Sequence, residues 1–241
     1  MKRLLAFALL LPGALAAADA YLESDGSQAI LTDCIVTPET RLVVDFQMTA
    51  LEGQARIFGV VIDPSAEFYV DGTLPDGGNF SFGFGDTWTK SSVVPADLDR
   101  HVATLDIDKR CYSLTTDGAI VLSGTFPPTV EALRTAHYPL AVFAKVPGGS
   151  RSVFGGVSKM RLYSLRVYEG GTLRHEYLPR LADGKACLCD RQTGKTFFDA
   201  NKSPRPLLFG GKSNVKFPKC DGKARTCASG KRFASRGPRS G

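Results

Sequence analysis

The stretch MRLYSLRVYEGGTLRHEYLPRLADGKACLCDRQTGKTFFD, Met160 to Asp199, decides the fold. Met160 to Tyr168 interleaves apolar and aromatic side chains with Arg and Ser, the composition of a strand with one wet face. Gly170-Gly171 breaks it, and Leu173 to Leu178 resumes the same character. Strand, glycine turn, strand is the expected order, with Pro179 and a second reversal after it.

Working outward, the same rhythm recurs. Leu140 to Val146 predicts a strand. His101 to Asp108 predicts another, with Val102 and Thr104 opposite Ala103, Leu105 and Ile107. Cys111–Thr115 and Ala119–Leu122 flank Thr116-Asp117-Gly118, and Asp-Gly favours a tight hairpin reversal. In Arg41 to Met48 (RLVVDFQM), Leu42, Val44, Phe46 and Met48 fall on one face at period two. Ala55 to Ile62 (ARIFGVVI) is apolar almost throughout, as expected of a strand buried on both sides. Glu67–Val70 and Asn79–Phe84 continue the series. Val130 to Thr135 allows one helical turn at most, and no segment beyond about ten residues holds a 3.6 period. Strands and turns at about 8–12-residue spacing predict an all-β, antiparallel sandwich or barrel.

The ends differ from this body. Lys2 and Arg3 precede the apolar run Leu4 to Leu11, then Pro12-Gly13 and small residues with A-x-A sites ending at Ala18 and Ala20. That is the layout of a signal peptide, so residues 1–20 are expected to be removed and the chain exported. No later run reaches the ~18 apolar residues of a spanning helix. The net charge is +6, yet residues 212–241 hold nine Lys and Arg against Asp221 alone. The body, 21–211, is therefore slightly acidic, and the high pI belongs to the tail, which excludes a nucleic-acid reading from pI alone. The tail is too poor in large hydrophobes to fold and reads as a flexible basic extension. Its cations suit a polyanion by counterion release.

Three stretches together resemble the secreted LamG-like jelly-roll modules of bacteria. Tyr21 to Asp33 (YLESDGSQAILTD) is similar to their YIESTGTQYIDTG opening, Arg41–Met48 to the DFQ strand, and Met160–Asp199 to their closing block. Cys187-Leu-Cys189 departs from the closing block, where apolar residues and Tyr are usual. The resemblance implies a concanavalin A-like lectin/glucanase fold over 21–211: two antiparallel sheets face to face, with a concave surface often used for glycans. It does not imply one activity.

Candidate chemistry is sparse. Glycoside hydrolases of this fold carry Glu-x-Asp-x-x-Glu on one strand. The chain has only Asp106-Ile-Asp108, expected to face solvent beside Lys109, Arg110 and Arg100, and Asp45, expected to be structural. A hydrolase with an unrecognised carboxylate pair stays as an alternative. His101, His137 and His175 lie in separate segments, and no Gly-x-Ser-x-Gly elbow occurs. No cofactor is expected, although laminin-G-like relatives bind calcium, and Asp71, Asp76, Asn79 and Asp86 offer hard oxygens in glycine-rich loops. Those residue types are also default turn formers. For a sugar, Trp88 in the Phe82–Trp88 segment offers an aromatic platform, and Asp86, Asn79 and Arg151 offer polar contacts. The opposing reading of Trp88 is core.

Six cysteines, Cys34, Cys111, Cys187, Cys189, Cys220 and Cys227, are disulfide candidates in an oxidising compartment. Cys187 and Cys189 share a strand face about 6.5–7 Å apart at Cα, which disfavours pairing with each other. Cys220 and Cys227 can close a small loop with each other or reach back to Cys187 and Cys189; crosslinks to the body are favoured, also over a four-cysteine zinc site, whose Cys-x-Cys spacing is atypical. The expectation is thus a secreted, non-enzymatic module for a carbohydrate or a cell-surface protein, with polyanion binding through the tail as the rival.

Overall fold

The computed structural model describes residues 20–51, 55–60, 65–71, 78–85, 87–88, 94–126, 136, 138–145 and 157–212, of which 65–71, 84–85 and 87–88 by backbone. The signal-segment and tail readings, and the helical-turn reading at 130–135, lie outside these residues.

All regular elements among the described residues are strands. The first seven are β1 (Tyr21–Asp25), β2 (Ile30–Ile35), β3 (Thr40–Met48), β4 (Ala55–Val60), β5 (Ser65–Asp71), β6 (Asn79–Gly85) and β7 (Thr87–Trp88). Next come β8 (Arg100–Asp106), β9 (Cys111–Thr116), β10 (Ala119–Thr125) and β11 (Pro139–Val142). The closing block supplies β12 (Lys159–Glu169), β13 (Thr172–Ala182), β14 (Lys185–Asp190), β15 (Thr196–Phe197) and β16 (Leu208–Gly210). Among the described residues no helix is long and apolar enough to cross a membrane.

The strands form two sheets, antiparallel throughout. The larger runs β10-β9-β8-β3-β12-β13-β14-β15, and the smaller runs β2-β11-β4-β5-β6-β7. β12 is long enough to take two partners on one side: β1 pairs Lys159–Leu162, and β13 pairs Leu165–Glu169. β1 in turn carries β16.

The hairpin expected at Thr116-Asp117-Gly118 is the β9–β10 turn, with Asp117 and Gly118 both at positive φ (50° and 79°). That pair of values is a type I′ turn, whose twist matches the flanking strands. Two glycines are needed for contact rather than for φ. Tyr112 lies over Gly124 and Tyr21 over Gly210, each directly cross-strand, so a Cβ at either glycine would meet the ring at 2.4 and 2.3 Å.

The inner faces meet in one core. Leu42, Val44, Phe46 and Met48 are at most 1% exposed, as the period-two reading of RLVVDFQM requires. Across the sandwich Phe46 meets Phe80 edge-on at 6.0 Å, and Tyr112 stacks on Phe82 at 4.9 Å. β4 is buried at all six positions, Arg56 included, which bears out the two-sided burial read from its nearly continuous apolarity. Phe80 to Gly83 of β6 and Leu140 to Val142 of β11 are buried as well. The smaller sheet is therefore covered on both faces along these strands. The larger sheet is not: β3 alternates buried and half-buried residues from end to end.

Candidate functional site

The wet face of the larger sheet is where the polar chemistry collects. Its centre is made by a phase slip in β12. Between Leu162 and Ser164 the register against β3 shifts, Leu162 pairing with Phe46 and Ser164 with Asp45, so Tyr163 is one residue in excess. A β-bulge of this kind re-aims a side chain. It lets Met160, Leu162, Leu165 and Val167 all point into the core, spaced two, three and two apart, while Tyr163 joins Arg161 on the outer face.

Around Tyr163 the side chains form a continuous chain of contacts. The Arg100 guanidinium lies 3.6 Å from the ring centroid of Tyr163. Its Nε and Nη2 donate to the two carboxylate oxygens of Asp45, both at 2.8 Å. The Tyr163 hydroxyl donates to Gln47 Oε1 at 2.9 Å, and Gln47 Nε2 donates to the carbonyl of Leu98 at 2.9 Å. Tyr21 meets Tyr163 edge-on at 5.8 Å and carries Arg161 over its own ring at 4.6 Å. Arg161 Nε donates to Glu23 Oε2 at 2.7 Å. Farther along β12, Arg41 covers the ring of Tyr168 at 4.1 Å. Glu176 accepts from Arg166 and Arg191, each at 3.1 Å.

Three arginines thus sit on three tyrosines, and bidentate or short charge-assisted bonds hold two of them in place. The bond to Glu23 raises the Arg161 pKa, and burial raises that of the Tyr163 phenol, so the ring stays neutral. Arg100 and Arg161 keep 30% and 35% of their side-chain surface exposed. The face combines ring and guanidinium planes with fixed donors and acceptors.

A second polar cluster closes the β13–β14 end. The Asp190 carboxylate is fully buried and accepts from the backbone N–H of Glu176 and Gln192 and from the Thr193 hydroxyl, at 2.8–3.2 Å. His175 Nδ1 lies 2.9 Å from its other side, and the imidazole stacks on Tyr177 at 5.4 Å. The Tyr177 hydroxyl donates to Asp33 Oδ1, and Lys195 Nζ to Asp33 Oδ2 at 2.6 Å. Burial pushes the Asp33 pKa upward, but the Lys195 and Tyr177 hydrogen bonds outweigh it, and the carboxyl sits below its ordinary value. The same environment drives the Tyr177 phenol strongly upward, burial first. This cluster ties the turn after β14 to β2.

The residues singled out from sequence fare unevenly. Asp71 and Asn79 are direct cross-strand partners at one end of the β5–β6 hairpin. Trp88 pairs with Gly83 on β7, the edge strand of the smaller sheet, four positions along β6 from Asn79, or about 13 Å. Asp76, Asp86, Arg151 and His137 lie outside the described residues. His101 is buried, with Nδ1 2.7 Å from the Thr116 hydroxyl and Nε2 2.7 Å from Asp97, remote in the fold from His175. Among the described residues no three His, Cys, Asp or Glu side chains are grouped to hold a metal.

Asp106 and Asp108 do not share a solvent face as expected. β8 ends at Asp106, whose side chain is buried and caps the turn by accepting from the Lys109 N–H at 3.1 Å, while Asp108 is exposed in that turn. Strand alternation stops before it can align them. Arg100, assigned from sequence to that pair, binds Asp45 instead. Cys34 is a buried thiol on β2, and burial pushes its pKa up to about 12. Cys111 is a half-buried thiol on β9. Cys187 and Cys189 are buried on β14 beside Arg180, whose Nη1 is 3.7 Å from Cys189 Sγ. Cys220 and Cys227, their expected partners, lie outside the described residues.

The outer-face set of Tyr21, Arg100, Arg161 and Tyr163 was missed from sequence. The signal that points to it is the slipped apolar spacing Met160, Leu162, Leu165, Val167, which marks a bulge and places Arg161 and Tyr163 together.

No family model and no curated protein matches the chain. Solved structures do. A candidate carbohydrate binding protein of Bacteroides ovatus superposes at TM-score 0.54 and 8% identity, over 81% of this chain and 60% of that one. Mouse laminin α1 domains LG4-5 give 0.44 at 13%, over 82% and 48%. The SAP-like pentraxin of Limulus polyphemus gives 0.44 at 10%, over 64% and 77%. The chain thus spans three-fifths of the Bacteroides protein's length. At these identities the likeness is one of fold: the architecture is a concanavalin A-like jelly roll, as the LamG-like resemblance implied.

Proposed function

We propose that this chain is an exported, non-catalytic module that binds carbohydrate on the wet face of its larger sheet. The observation that carries the reading is the contrast between the sheets. One is buried on both faces along β4, β6 and β11, and the other presents Tyr21, Arg161, Arg100, Asp45 and Gln47 around the buried Tyr163 ring as a connected polar surface. Ring and guanidinium planes offer apolar faces to sugar C–H groups. The carboxylate, amide and guanidinium edges direct hydrogen bonds at hydroxyls, and being fixed already they lose little freedom on binding. The shared fold with a candidate carbohydrate binding protein supports the same reading.

A glycan array with the full chain tests it. Arg100→Ala and Arg161→Ala should each cut the bound signal at least tenfold while thermal unfolding stays cooperative. Retained binding in both variants, with loss in Trp88→Ala, would move the site to β7, the edge strand that carries Trp88.

A second reading rests on the nine Lys and Arg beyond residue 211. It gives the tail a polyanion partner, and salt-sensitive retention on heparin that vanishes on truncation after Gly211 is its signature. Reducing-sugar release from mixed polysaccharides would instead favour the hydrolase alternative.

A further inference from the structure

Resting on the carbohydrate reading above, we infer that the wet face selects a saccharide bearing a carboxylate, and that Arg41 is the residue that receives the acid. Charge is spread unevenly along that face. At the Tyr163 end each guanidinium has its own carboxylate, Arg100 with Asp45 and Arg161 with Glu23. At the Tyr168 end three guanidiniums share one. Glu176 accepts from both Arg166 and Arg191. Arg41 has no carboxylate within ion-pair distance among the described residues, and its Nε is buried without a hydrogen bond.

Strand register explains why Arg41 is unmatched. It stands on β3 between Asp106 on β8 and Tyr168 on β12, its direct partners to either side. Its guanidinium turns toward β12 and lies over the Tyr168 ring. Asp106 is meanwhile held by Lys109, accepting from its N–H at 3.1 Å and lying 3.4 Å from its Nζ. Glu169, next to Tyr168, accepts from the Thr37 and Thr40 hydroxyls instead. Arg166 pairs with Val43, two positions along β3 from Arg41, or about 7 Å. Arg41, Arg166 and Arg191 therefore form one cationic group around a single carboxylate.

The chemistry of the occupant follows from that imbalance. Arg41 and Asp45 are four positions apart on β3, about 13 Å, so one short oligosaccharide spans both ends of the face. Its hydroxyls meet the paired end and its acid the unpaired one. A carboxylate is planar, as a guanidinium is, and takes two parallel N–H bonds from it. Because Nε is buried, the Nη atoms of Arg41 are the ones left to make them. The Tyr168 stack fixes the guanidinium plane beforehand, so little freedom is lost on binding.

The test is an array of uronate- and sialate-terminated oligosaccharides beside the carboxyl-reduced form of each, probed with the full chain. At least one acid form should bind tenfold or more above its reduced counterpart. Arg41→Gln should abolish that difference and leave the reduced forms bound as before. Arg191→Gln, at a side chain 51% exposed, should lower the difference at least threefold with thermal unfolding unchanged. Were Arg41→Gln to unfold, Arg191→Gln decides alone. An acid preference that survives Arg41→Gln, as one carried by the basic tail would, overturns the inference. Equal binding of acid and reduced forms also overturns it and leaves the carbohydrate reading standing. Silence of every glycan removes both.

Discussion

The two sheets of this jelly roll solve the same packing problem with different sequences. The smaller keeps Ala55 to Val60 wholly buried, and that strand is apolar but for Arg56. The larger alternates, with Leu42, Val44 and Phe46 inside and Arg41, Val43, Asp45 and Gln47 outside. The outer positions of β3 carry Arg41, Asp45 and Gln47 without taking charge out of water, which is costly in a two-sided interior. The binding chemistry proposed above therefore sits on the larger sheet.

That division can be broken most severely from the buried side. Phe58 is fully buried on β4, so Phe58→Ala should cost about 3–5 kcal/mol in chemical denaturation, the usual toll of an emptied aromatic site. A smaller loss, about 1–3 kcal/mol from overpacking, should follow Gly124→Ala, because the added methyl meets Tyr112 while that ring is stacked on Phe82. On the wet face, Thr104→Ala should move stability by no more than about 0.5 kcal/mol. If it proves as damaging as Phe58→Ala, the face is not open and the division fails.

Two titrations sharpen the contrast further. Asp33 has a folded pKa below its ordinary value, so its contribution is complete above the unfolded value near 4 and is lost as pH falls through the folded one. Asp33→Asn should therefore flatten the acid limb of the stability curve below about pH 4, read from urea midpoints. Thiol labelling separates the sheets with less effect on stability. Cys34, buried and pushed up to about 12, should resist iodoacetamide at pH 7.5 in the native chain, and Cys111 on the larger sheet should react before it.

How far the sequence reached depends on the range of the interaction. The β9–β10 reversal was legible because Asp117 and Gly118 supply positive φ locally, and the inward set Leu42, Val44, Phe46, Met48 because alternation is a property of one strand. The two-sided burial of β4 showed in its own composition. The Asp106–Asp108 pair was misread because a strand end cannot be placed to within a residue from apolar pattern alone. Arg100 was assigned to a sequence neighbour, whereas β3–β8 pairing put Asp45 within its reach. The Tyr163 site needed the bulge in β12, visible in sequence only as a three-residue gap between Leu162 and Leu165.

By itself, then, the amino-acid order determined the strand content, the turns, the layered antiparallel class and the separation of a basic tail from a slightly acidic body. These follow from backbone preference and from the period at which apolar side chains recur. Which arginine meets which tyrosine, which sheet keeps a wet face, and which strand is left at the edge were decided only by tertiary structure. Each depends on register between strands tens of residues apart, and a shift of one residue turns every side chain to the opposite face.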